Sequence, residues 1–259
     1  MSAGPDGCPL LNSEHPAADW RPECAILAGD SVQFHSGANR RLENTLLRDS
    51  LMSPRPKRSA LPTGCINRDL LLRSLLRDVS RITIDGAEST SLSYPEFVRY
   101  FQDAGTLSKH HLIIGASLAY SWMPTILDFR HSDLDGGVRI LEKARAGADL
   151  DAVELLLMAS IVNNSVVGAS KLLHFVAPQR FAVWDSRVAT YLGSATEGGA
   201  FGVERYVGFN ECCRALATMP RAGDVAAAMT SRLGVLMQPM RAIELVMFFG
   251  GLEGYSYAA

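Results

Sequence analysis

The chain has 259 residues, enough for one large domain or two small ones with a packed core. Its composition, 47% hydrophobic and 20% charged at a net charge of -2, excludes an intrinsically disordered chain. No run approaches the roughly 20 apolar residues that a membrane span needs, and five cysteines without a CxxC pair speak against a zinc ribbon or a disulfide framework.

The opening MSAGPDGCPLL lacks the basic and apolar regions of a signal peptide, so the expected compartment is the cytoplasm. Adjacent Cys212 and Cys213 are expected to be reduced helix residues there. The near-neutral total conceals an asymmetry. Between Arg40 and Arg81 there are ten Lys/Arg against four Asp/Glu, whereas residues 83 to 185 carry twelve acids against eight bases. A basic N-terminal third is what a polyanion-facing surface carries; a solvated helix face is the plainer account.

Residues 1–38 contain Pro5, Pro9, Pro16 and Pro22 and are expected to be an irregular extension, with AILAGDSVQFH as a candidate short strand. Residues 39–259 are expected to form an all-α domain of about ten helices. RRLENTLLRDSLM (40–52) repeats leucine at helical spacing. The proline-rich loop after it offers Arg55, Lys57 and Arg58, either to phosphate or simply to solvent. Asn67 caps the helix NRDLLLRSLLRDVSRI, and ITIDG is a candidate brief strand.

SYPEFVRYFQDAG is expected to start at Ser93 as cap with Pro95 in the first turn. SKHHLIIGASLAYSWMP is apolar on nearly every side, the pattern of a central helix, and ends before Pro124. DLDGGVRILEKARAG and DLDAVELLLMASIVNN are each introduced by aspartate. The last third reads as three helices, VERYVGFNECCRALATM, AGDVAAAMTSRL and QPMRAIELVMFFGG.

The chemistry-bearing stretch is NNSVVGASKLLHFVAPQRFAVWDSRVATYL, Asn163 to Leu192. A polar-glycine hairpin, Asn163-Asn164-Ser165-Val166-Val167-Gly168, precedes a helix expected to begin at Ser170-Lys171 and to stop near Pro178. Backbone N–H groups at such a start make an anion site, as well as an ordinary helix–helix turn. Lys171 in a first turn would have its pKa depressed by the helix dipole, which suits a nucleophilic amine; an exposed lysine is the ordinary alternative.

The stiff FAVW segment then delivers Asp185 to the next helix entrance. As an N-cap it would accept a backbone N–H; as a functional carboxylate it would stabilise positive charge on a sugar or orient water. Arg187, two positions on, is within reach of a phosphate or a structural carboxylate. His174 is read as a hydrogen-bonded core residue. Tyr120 and Trp122, closing the central helix, are either core or a stacking wall for a planar base. No metal site is expected, since Asp133 and Asp135 near His131 lack a well-spaced third ligand, and GxGxxG, Walker A and GxSxG motifs are missing.

On these residues the stretch from 155 to 192 resembles the helix-hairpin-helix core of the DNA glycosylase superfamily that includes endonuclease III and 8-oxoguanine glycosylase. VVGASK corresponds to the end of that family's LPGVGxK hairpin, and FAVWDSRV to its approach and catalytic aspartate. The resemblance implies Asp185 as the catalytic carboxylate and Lys171 as a candidate Schiff-base lysine. It also implies a hairpin around Asn163, Asn164 and Gly168 that grips the phosphate of double-stranded DNA.

Asn-Ser-Val replaces LPG, and the lysine lies one residue further from the glycine and several residues nearer the aspartate than in the family. A displaced lysine implies a monofunctional enzyme that leaves an abasic site. No four-cysteine iron-sulfur loop is present, so no cofactor is implied. The divergent pocket elements imply an unusual base, such as a modified cytosine in phage DNA removed as antiviral defence. The rival expectations are a non-catalytic DNA-binding helix-hairpin-helix protein, and a helical interaction protein in which Asp185 only caps a helix.

Overall fold

The computed structural model describes residues 66–84, 88–129, 133–194, 196 and 198–257, all within one compact unit, Pro56–Ala259. The expected extension, the candidate strand in it, the helix at 40–52, the loop carrying Arg55, Lys57 and Arg58, and His131 lie outside the described residues.

Among the described residues the protein is all-α: ten helices and no strand. They are α1 (Arg68–Asp78), α2 (Glu88–Gln102), α3 (Lys109–Tyr120), α4 (Leu134–Arg145), α5 (Ala152–Ile161), α6 (Val166–Val176), α7 (Ser186–Tyr191), α8 (Gly199–Ala217), α9 (Ala222–Leu233) and α10 (Pro239–Leu252). Side-chain caps set several of the starts. Asn67, Asp133 and Asp151 each accept a backbone N–H from the first turn, and Asp151 forms a reciprocal box with Glu154.

Several expected elements are different, among them the start of α8, at Gly199 instead of Val203. Ile82–Ile84, the described part of the ITIDG segment, is irregular. The second helix begins at Glu88, so Pro95 lies inside it instead of in its first turn. Pro95 is exposed, where water can substitute for the backbone partner it removes.

α6 is enclosed on all sides. All but Val167 of its eleven residues are buried, and it packs against α2, α3, α4, α5 and α8. Its Leu172 and Phe175 pack in one core with Trp184 and Tyr191, each burial removing apolar surface worth about 1.5–3 kcal/mol. α5 and α6 are bent by 103° at the hairpin between them. No single described helix is long and apolar enough to cross a membrane; these two reach that length only as the bent pair.

Candidate functional site

The hairpin turns on Asn163 and Asn164, both left-handed, with φ of 56° and 54°. Asparagine tolerates that region better than most residues because its short amide can bond locally. The Asn163 amide instead reaches a loop distant in sequence: Nδ2 donates to the Ile126 carbonyl at 2.8 Å, and Oδ1 accepts from the Asp128 amide at 2.7 Å. Asn164 is exposed. Ser165 then caps α6 by accepting from the Gly168 amide at 3.0 Å, which starts the helix at Val166, not at Ser170.

Gly168 therefore belongs to the first turn, and Tyr120 explains why it is glycine. A Cβ there would lie 2.8 Å from the tyrosine ring. Tyr120 is buried and donates its hydroxyl to the Val162 carbonyl at 3.0 Å, so it braces the hairpin from inside.

Lys171 is consequently in the middle of α6 and buried, not in a first turn. The dipole account of its pKa falls away. Burial lowers the ammonium below its ordinary value instead, with the Asp185 charge and hydrogen bond pulling the other way. Its Nζ donates to the Trp122 carbonyl at 3.2 Å and lies 3.5 Å from Asp185 Oδ2.

Asp185 divides its two oxygens between two tasks. Oδ1 accepts the Arg187 amide at 3.0 Å and so caps α7, as the plain reading required. Oδ2 faces the lysine, and the carboxylate keeps 16% of its surface open while the lysine keeps 6%. The lysine is thus buried, while the carboxylate retains a partly open edge. Arg187 is exposed, with its guanidinium 4.6 Å over the Phe248 ring. Trp122 contributes its carbonyl to the lysine; its ring packs with Phe97 and Phe175 at 5.5 and 5.0 Å, and Nε1 donates to Ser93 Oγ. Lys171, Asp185 and Trp122 thus come together, whereas Tyr120, Gly168, Asn163 and Asn164 gather at the hairpin end of α6.

The approach to Asp185 belongs to no helix or strand, so its backbone groups need other partners. Buried side chains supply them. His174 Nδ1 lies 2.6 Å from the Phe181 carbonyl, the Ala182 amide donates to Asn210 Oδ1 at 2.8 Å, and the Val183 amide donates to Glu244 Oε2 at 2.6 Å. The Trp184 amide donates to Ser170 Oγ at 2.9 Å. Four successive residues are held by α6, α8 and α10.

Behind them sits a buried polar cluster that the sequence reading did not find, apart from His174. Glu244 pairs with Arg241 one turn earlier in α10, and the Arg241 guanidinium lies 4.5 Å over Tyr94 and 5.5 Å over Trp122. Tyr94 Oη is 3.0 Å from His174 Nε2. Burial, then the positive charge of Arg241, pushes His174 down to about 3. The ring is neutral, with its proton on Nδ1 toward Phe181 and its Nε2 accepting from Tyr94. Its 3.7 Å approach to Glu244 is therefore not an ion pair.

Other parts of the described surface lie apart from this pair. One groove of about 330 Å³ runs between α5 and α8 beside Leu156 and Val207, and another of about 460 Å³ lies beside Arg180 and Arg214. The four described arginines of the basic third sit on or just after α1: Arg68, Arg73 and Arg77 are exposed, and Arg77 and Arg81 pair with Asp78. Among the described residues no group of His, Cys, Asp and Glu is placed to hold a metal ion.

No protein-family model, curated protein or solved structure matches this chain. The likeness of residues 155–192 to the helix-hairpin-helix glycosylases rests on those residues alone.

Proposed function

We propose that the protein is a DNA N-glycosylase acting on a modified base in double-stranded DNA, in the cytoplasm, where the buried free thiols of Cys212 and Cys213 suit a reducing environment. The observation that carries this reading is the meeting of Lys171 and Asp185. They are the two residues the family likeness singles out, and they approach to 3.5 Å across separate elements with the carboxylate still partly open.

A target nucleotide flipped from the duplex would bring its sugar to Asp185. As the C1′–N bond breaks, the carboxylate stabilises the positive charge that develops on the sugar, and water adds at C1′. The products are the free base and an abasic site. Lys171, held by Asp185 and the Trp122 carbonyl, supplies a compensating cation beside the carboxylate, so the enzyme is monofunctional. The turn at Asn163 and Asn164, with Arg187 on the exposed face of α7, is offered to the DNA backbone. A modified cytosine of phage DNA is the proposed target, which makes the protein an antiviral enzyme.

One specific observation favours a second reading, in which Asp185 only caps α7: the 3.0 Å bond from the Arg187 amide. Asp185→Asn separates the two, because asparagine caps as well as aspartate but carries no charge. On duplexes bearing a panel of modified cytosines and damaged bases, wild-type protein is expected to generate abasic sites, and Asp185→Asn to lose at least about a hundredfold in rate with its melting temperature nearly unchanged. Equal base release by both proteins, or none by either across the panel, rejects the glycosylase.

A further inference from the structure

α7 has six residues, too few to hold its own geometry, so the position of Asp185 is set by whatever α7 and its approach rest on. Much of that support is one helix. In α10, Glu244 accepts the Val183 amide two residues before Asp185. Seven residues later, two turns along and hence on the same face, Gly251 lies under the chain two residues after it. A Cβ on Gly251 would stand 1.9 Å from the Arg187 carbonyl oxygen, so only glycine lets the two backbones come this close. Between them Phe248 carries the Arg187 guanidinium. α10 therefore grips the chain on both sides of the carboxylate.

We propose that Glu244 is a positioning residue for Asp185: ionised, it draws the Val183 amide toward Arg241 and fixes where the carboxylate points, and protonation relaxes that grip. The role rests on the glycosylase reading of Asp185, but the grip itself is a property of the fold. The groups facing Glu244 are Arg241 on its own helix, His174 and Lys171 from α6, Tyr206 and Cys213 from α8, Tyr94 from α2, and the Val183 amide. Burial holds the two phenols and the thiol above their ordinary values, and His174 is pushed down to about 3. Burial likewise pushes Glu244 up to about 7, against the pull of Arg241, the Val183 amide and Lys171. Its ionisation therefore falls in the neutral range, where Lys171 is the other cation close enough to matter.

The test uses the whole chain, following the backbone amide signals of Val183 and Arg187 by NMR from pH 5.5 to 8.5. The Arg187 amide is the one that donates to Asp185, so it reports the carboxylate directly. In wild-type protein both amides are expected to shift together with a midpoint near 7. Glu244→Gln, close in shape but uncharged, is expected to abolish the step at both. Lys171→Met is expected to move the midpoint while keeping the step. Gly251→Ala, which pushes α7 away without touching the buried cluster, is expected to keep the step at Val183 and lose it at Arg187.

A step at Val183 alone in wild-type protein, or one that survives Glu244→Gln, overturns the proposal. On a substrate that shows base release dependent on Asp185, Glu244→Gln is expected to lower kcat by about tenfold to a hundredfold with KM unchanged, and to remove the limb of the pH profile near 7. A wild-type profile from that variant rejects the positioning role and leaves the glycosylase standing. Absence of base release from every substrate rejects the glycosylase, while the amide signals still decide the grip.

Discussion

Two short non-helical links flank α6, and they are held in opposite ways. The hairpin before it, Val162–Ser165, lies near the surface and turns on left-handed asparagines, with Asn163 tied to a neighbouring loop by its own amide. The approach after it, Phe181–Trp184, is buried throughout, and each of its residues is bound by a side chain from elsewhere: His174, Asn210, Glu244 and Ser170. A partly exposed turn, in which water can replace a lost partner, tolerates exchange of its residues. A segment whose hydrogen bonds come from three helices ties the placement of its last residue, Asp185, to the integrity of the whole core.

The sharpest way to break this contrast is to remove one partner on each side. Glu244→Ala leaves the Val183 amide unsatisfied and the Arg241 guanidinium buried without its counter-ion, and a buried pair broken in this way costs about 3–5 kcal/mol. Asn163→Ala removes two hydrogen bonds at a partly exposed turn and is expected to cost about 1–2 kcal/mol. Urea denaturation of both variants measures the difference; losses of equal size would mean that the buried clamp is no stronger than the surface tie.

A second effect, smaller, separates the two titrating members of the clamp. Glu244 is raised from 4.5 to about 7, so the folded state holds that proton more tightly, and the stabilisation is full below pH 4.5 and lost as pH rises through 7. His174 is lowered from 6.5 to about 3, so its contribution is full above pH 6.5 and lost as pH falls toward 3. Between 4.5 and 6.5 the two slopes oppose and cancel. Glu244→Gln removes one of them. Relative to wild type, the variant is expected to lose roughly 1.4 kcal/mol per pH unit on going down from 6.5 to 4.5. Denaturation curves at three pH values in that window check this, and parallel losses in the two proteins would show that the groups do not titrate as described.

The same contrast explains which features were legible in the sequence. Caps are local signals, and Asn67, Asp133 and Asp185 each announce a helix start that the structure has, whereas in DLDAVELLL the cap is the second aspartate, Asp151, and not the first. The start of α6 is not legible, because Val-Val-Gly reads as a turn. The reason for its glycine, the Tyr120 ring against it, lies 48 residues away in sequence. Lys171 and Asp185 stand out in the sequence, but the cause of the lysine's lowered pKa does not: it is burial within the core, which helical register alone does not reveal.

The stiffness of the approach is legible in FAVW, but of its clamps only His174 is. There was a signal for one of them. MRAIEL sets an arginine and a glutamate one turn apart in a helix otherwise apolar on every side, and such charges have no exposed face to use, so they must pair inside. Asn210 and Ser170 carry no comparable mark, since a single polar residue on a helix reads equally well as surface.

The smallest expected effect tests the hairpin half of the contrast at its most replaceable residue. Asn164 is exposed, and its φ of 54° lies where glycine rests without a steric penalty. Asn164→Gly relieves that penalty in the folded state but adds freedom to the unfolded chain, and the two nearly cancel, leaving a change within about 0.5 kcal/mol. Asn164→Val, which keeps the size but resists the left-handed region, is expected to lose about 1–2 kcal/mol. Melting temperatures of the pair are sufficient to check this. If valine were tolerated as well as glycine, the turn would owe nothing to the left-handed conformation at Asn164, and the hairpin would be held by its ties to Ile126, Asp128 and Tyr120 alone.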